Sequence, residues 1–122
     1  MFLETIVQKF GERLGMPNLT LGEKGVGALD INEVGRLYLE ILPDRENLLL
    51  YLTRSLPPYA PEIPKKALSF THYLKAHPFP VWCGKRNDEL ILFTRLGRAE
   101  VSPQSIENAV LFLAKSIDEL TS

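Results

Sequence analysis

The spacing of apolar residues predicts one α+β domain: a helix, a three-strand antiparallel meander, a second helix, two further strands and a last helix. Three observations carry this. The apolar residues recur every three or four positions at both ends of the sequence, and every two positions through the middle. Short turn-forming clusters separate the alternating runs, as in consecutive antiparallel strands. Pro57, Pro58, Pro61 and Pro64 then break the alternation, splitting the strands into a group of three and a group of two.

Phe2, Leu3, Ile6, Val7, Phe10 and Leu14 fall on one helical stripe, with Glu4, Gln8, Glu12 and Arg13 towards water. Gly15 and Pro17 supply the stop. Glycines at 22, 25 and 27 make a flexible approach to the first strand, where Val26, Ala28 and Asp30 alternate with Leu29 and Ile31. After the turn at 32–35, Leu37, Leu39 and Ile41 point one way and Arg36, Tyr38 and Glu40 the other. A turn at 43–47 leads to a third strand, Leu48, Leu50 and Leu52 against Leu49, Tyr51 and Thr53. Both its faces are apolar, which places it in the middle of the sheet or under cover on both sides.

The proline-rich stretch from Leu56 to Pro64 is a stiff connection. A second helix runs from about Pro64 to Ala76, ended by Pro78; Ala67, Leu68, Phe70, Tyr73 and Leu74 wrap more than one side of it. A short fourth strand spans Phe79 to Gly84, weakened by Pro80, and the turn Lys85-Arg86-Asn87-Asp88 joins it to a fifth from Glu89 to Leu96. Ser102 is the N-cap and Pro103 the first residue of the last helix, whose core stripe is Ile106, Val110, Leu113, Ile117 and Leu120, widened by Ala109.

Composition excludes several function classes. The formal charge of the 122 residues is −1 and no Lys/Arg block stands out, so nucleic acid is not an expected partner. Cys83 is the single cysteine, which favours a reducing compartment. The first residues have an acid and no basic region before an apolar run, unlike a secretory signal. No apolar stretch approaches the roughly 18 residues that cross a bilayer, so no stable membrane insertion is expected.

Candidate chemistry is thin. His72 and His77 lie five residues apart, off register for a shared helix face, and with Cys83 they lack the close spacing of zinc ligands. The glycines at 22, 25 and 27 precede a strand instead of joining strand to helix, so they do not make a phosphate loop. No serine stands in a Gly-x-Ser-x-Gly elbow. Asp30, Asp44, Asp88 and Glu89 sit at strand ends and turns, where solvated carboxylates are the norm. Neither catalytic residues nor a metal site nor a cofactor is expected.

What the sequence does contain is apolar surface beyond the need of one small core. Strands with two apolar faces need cover on both sides, and the first and last helices coat only one. The combination of Phe70, Tyr73, Phe79, Val81 and Trp82, mostly aromatic, is therefore a candidate subunit interface.

The element order over the whole length, with the segment from Gly27-Ala28-Leu29-Asp30 through Leu39-Glu40-Ile41, resembles class I type III secretion chaperones. Leu52-Thr53-Arg54-Ser55-Leu56, Lys66-Ala67-Leu68-Ser69-Phe70-Thr71, Glu89-Leu90-Ile91-Leu92-Phe93 and the helix end Leu14-Gly15-Met16-Pro17 resemble the SycN type. The near-neutral charge departs from the stronger acidity usual in that family. The resemblance implies a cytoplasmic, dimeric, cofactor-independent chaperone, peripheral at most to the inner membrane near the export apparatus. Its cargo would be the extended N-terminal region of a secreted gatekeeper or effector protein. Its partner would be a second class I chaperone or a second copy of itself. Carried over, Leu68, Phe70, Tyr73, Phe79, Val81 and Trp82 become the dimer interface, and Phe2, Leu3, Ile6, Phe10, Leu37 and Leu39 the cargo contacts. A homodimeric effector chaperone, or a regulator of this fold binding a folded signalling protein, are the alternatives.

Overall fold

The computed structural model describes residues 2–16, 19, 25–31, 34–44, 46–56, 79–86 and 88–121. Helix α1 (Phe2–Arg13) ends in a two-bond cap: the Met16 N–H donates to the Gly11 carbonyl at 2.8 Å and the Gly15 N–H to the Glu12 carbonyl at 3.1 Å. That closure needs a left-handed residue, and Gly15 supplies it with φ of 75°. Leu14, expected on the core stripe, lies beyond the last helical residue and is exposed.

Five strands follow: β1 (Val26–Ile31), β2 (Gly35–Ile41), β3 (Asn47–Ser55), β4 (Trp82–Arg86) and β5 (Glu89–Gly97). They form one antiparallel sheet in the order β1-β2-β3-β5-β4. The strand predicted to be central from its two apolar faces is the central one. Gly35 has φ of 152°, and a Cβ there would collide with the Thr53 carbonyl oxygen, so the β1–β2 turn enters β2 only through glycine. The β2–β3 turn is held by Asp44, whose carboxylate accepts from the Glu46 N–H and the Asn47 side chain, both at 2.8 Å. These bonds hold the Asp44 carboxyl below its ordinary pKa.

The fourth strand is displaced from its expected span. It begins at Trp82, because Pro80 has no N–H to give a ladder, and it continues through Lys85 and Arg86. Arg86 pairs with Glu89, so only Asn87 and Asp88 lie between the paired strands. β5 extends one residue past its expected end.

Helix α2 (Pro103–Thr121), the last of the helices expected from the sequence, opens on a reciprocal cap. The Ser105 N–H donates to Ser102 Oγ at 3.0 Å and the Ser102 N–H to Ser105 Oγ at 2.8 Å. Its buried side is Ile106, Ala109, Leu113, Ser116, Ile117 and Leu120, with Val110 only half-buried. Leu3, Ile6, Val7 and Phe10 of α1 join these residues and the inward leucines of the sheet in one core. Arg13 ties the two helices, donating to Gln104 at 2.9 Å and pairing with Glu107 at 3.4 Å. Arg54, on the same side of β3, donates to the Val34 carbonyl at 2.7 Å, to Thr121 at 2.8 Å and to Asp118 at 2.6 Å. It thereby fastens the end of α2 to the β1–β2 turn. The second expected helix, 64–76, lies outside the described residues.

Candidate interaction surface

The two sides of the sheet differ in chemistry. On the helix side the strands set Leu29, Leu37, Leu39, Ile41, Leu48, Leu50, Leu52, Leu90, Leu92 and Leu96 into the core. On the other side the register lines up Ala28, Tyr38, Tyr51, Phe93 and Trp82, one residue from each strand, in a single row. Tyr38 and Tyr51 stack with centroids 4.8 Å apart and planes 10° from parallel. Phe93 and Trp82 stack at 5.7 Å and 19°. Paired aromatics of this kind contribute about 0.5–1.5 kcal/mol beyond their burial.

Charged groups border the row. The Arg36 guanidinium stands 5.7 Å from the centre of the Tyr38 ring and pairs with Asp30 at 3.1 Å. Tyr51 reaches Glu40 at 3.5 Å; burial first, and the Glu40 charge second, push its hydroxyl above the ordinary pKa. Leu49, Ile91 and Phe93 are half-buried, whereas Trp82 at the strand edge is 44% exposed. At the end of the sheet Asp30, Arg36, Thr53, Arg54 and Glu89 border an open recess, in which Arg36 is engaged by Asp30 and Arg54 by Asp118. Among the described residues no three His, Cys, Asp or Glu side chains converge as a metal site would require.

The expected dimer residues divide. Phe79 packs on Phe112 of α2 with centroids 5.7 Å apart, and Phe79 and Val81 both lie against the chain's own core. Trp82 is turned to the opposite side, onto Phe93. Leu68, Phe70 and Tyr73, like His72 and His77, lie outside the described residues. Of the expected cargo contacts, Leu3, Ile6, Phe10, Leu37 and Leu39 are buried in the core, so direct contact with a bound segment requires them to leave it. The side chain of Phe2 is outside the described set. Cys83 is half-buried on the edge strand. Reading the sequence residue by residue left out the row Tyr38, Tyr51 and Phe93. Alternation places each on a face, but aligning the three needs the register that the turn lengths set.

Residues 2–121 match the family described as Type III secretory system chaperone SycN. No curated protein sequence gives a match. The fold is that of solved secretion-chaperone structures. Against the HopA1–SchA chaperone–effector complex the TM-score is 0.77 at 18% identity, covering 98% of this chain and 93% of that one. Against the ExsC–ExsE complex it is 0.74 at 24% identity, covering 96% and 86%. Against the Yersinia pestis type III secretion chaperone SycH, in complex with a stable fragment of YscM2, it is 0.67 at 15% identity, covering 100% of both.

Proposed function

The chain belongs to the SycN family of type III secretory system chaperones, and we propose that it is one subunit of a cytoplasmic heterodimeric chaperone for a secreted gatekeeper protein. With a second small chaperone it holds the gatekeeper's N-terminal region extended and competent for export. The observation that carries the reading is the SycN match over residues 2–121, joined to a sheet whose second face carries an aromatic row away from α1 and α2. The partner subunit takes the Trp82 side of the sheet, with Leu68, Phe70 and Tyr73 as further expected contacts, while Phe79 and Val81, which pack on the chain's own core, support that strand from the helix side. Cargo lies along α1 and the meander, where a segment adds to an open strand edge through main-chain bonds and seats apolar side chains beside it. The residues expected there, Phe2, Leu3, Ile6, Phe10, Leu37 and Leu39, act chiefly by shaping that surface from beneath. No step makes or breaks a bond, so no catalytic group and no cofactor is required.

A second reading, a chaperone for an effector instead of a gatekeeper, is favoured by the HopA1–SchA likeness. Co-expression separates the two. The chain is expressed with the N-terminal region of a type III secretion gatekeeper, with and without a second class I chaperone. Recovery of the gatekeeper segment only when both chaperones are present is the expected result. Efficient capture by this chain alone would favour the homodimeric effector reading.

A further inference from the structure

One polar side chain stands among the leucines that β5 turns towards the helices. Leu90, Leu92 and Leu96 alternate into the core, and Thr94 takes the place between the last two, with none of its surface exposed. It lies opposite Leu50 of β3, itself wholly buried. A hydroxyl is costly to take out of water unless it is bonded. This one donates to the Pro80 carbonyl at 2.5 Å.

Pro80 sits where the ladder between β4 and β5 stops. Trp82 faces Phe93, so continuing the register backwards sets Val81 opposite Thr94 and Pro80 opposite Arg95. Proline has no N–H for the ladder, and the paired strand starts only at Trp82. The Thr94 hydroxyl thus ties the approach to β4 onto β5 at the point where backbone pairing gives out. Ring contacts flank the tie on opposite sides of the sheet: Phe79 on Phe112, and Trp82 on Phe93, each at 5.7 Å. Val81 lies between them, against the core. Among the described residues β5 is the one strand beside β4, so no second strand steadies this end.

We infer that Thr94 is a positioning residue for the association surface: its hydroxyl latches the Pro80 carbonyl and so holds Trp82 stacked on Phe93, the arrangement that the partner subunit meets. This rests on the proposed function, in which the partner takes the Trp82 side of the sheet. Without the hydroxyl, the carbonyl of Pro80, an exposed residue, turns to water. The start of β4 is then held by ring and apolar contacts alone, and Trp82 leaves its stacked position part of the time. A partner that needs that position binds in proportion to the fraction of chains that hold it.

Two substitutions separate the hydroxyl from the packing. Thr94→Val keeps the shape and removes the bond, whereas Thr94→Ser keeps the bond and removes a methyl group. In the free chain, Thr94→Val is expected to raise acrylamide quenching of Trp82 about twofold. Amide exchange along β4 speeds up about tenfold, with exchange along β3 unchanged. Affinity for a second class I chaperone falls about tenfold in titration calorimetry. Thr94→Ser stays close to the parent chain in all three. A Thr94 that only fills the core would give the reverse order, because serine leaves a gap there and valine does not. Quenching and β4 exchange unmoved by Thr94→Val overturn the inference. So does Thr94→Ser departing from the parent as far as Thr94→Val, or equal binding of the second chaperone by the parent and Thr94→Val. The quenching and exchange measurements involve no partner, so their failure leaves the proposed function intact.

Discussion

The helix side of the sheet and its other side, open among the described residues, are built from the same strands but obey different rules. On the helix side, Leu37, Leu39, Leu48, Leu50, Leu52 and Leu92 are wholly buried, and α1 and α2 complete their contacts within one chain. On the open side, Tyr38, Tyr51 and Phe93 are only half-buried, stacked in pairs, and the row ends on an exposed tryptophan. Aliphatic side chains fill a core that is closed for good. Large rings with a polar handle suit a surface that is wet at some times and covered at others. The first face carries the stability of the chain, and the second is the one we propose for association.

That division can be broken by substitution. Leu50→Ala on the helix side is expected to cost about 2–5 kcal/mol in denaturant unfolding, through lost burial and the cavity left behind. A loss well under that range would mean the helix side is not the principal core. Arg54→Met removes three donated bonds at the join of α2 with the β1–β2 turn. A cost of about 1–3 kcal/mol is expected, with faster amide exchange at the end of α2. Ser102→Ala, which removes one half of the α2 cap, is expected to cost about 1 kcal/mol in thermal melts. On the open side, Trp82→Ala should lower stability by about 1 kcal/mol at most while weakening pairing much more, which light scattering reads. Equal effects of Leu50→Ala and Trp82→Ala on stability would erase the distinction between the faces.

The smallest effect concerns acid. Asp44 has its carboxyl lowered from the ordinary 3.8 by the Glu46 N–H and the Asn47 side chain. A depressed folded value contributes stability above the unfolded value, lost as pH falls through the folded one. Asp44→Ala should therefore flatten the dependence of the melting temperature on pH below about pH 4 and leave it unchanged at neutrality.

Much of this architecture is legible in the residues themselves. Ser102 and Pro103 mark the start of α2, Gly15 marks the end of α1, and the two apolar faces of 48–53 place β3 at the centre. These signals are local, since each depends on a few neighbouring side chains. The misses depend on partners distant in sequence. Lys85 and Arg86 look like turn residues until Asn87-Asp88 alone is seen to separate the paired strands. Phe79, Val81 and Trp82 look like one patch, yet Phe112 draws the first towards the core side while Phe93 holds the last on the opposite face. Apolar residues on α1 and β2 look available for cargo because periodicity shows which face they lie on and not that they are buried in one core with α2.

The central claim is that the aromatic face ending in Trp82 is covered when the chaperone assembles. Trp82 is the chain's only tryptophan, so its fluorescence reports on that face alone. Acrylamide quenching is measured at a dilution at which the chain is unpaired, then after adding a tryptophan-free variant of the second chaperone. The account expects strong quenching in the free chain and clear protection in the complex. A complex that forms while Trp82 remains as accessible to quencher as before would contradict it.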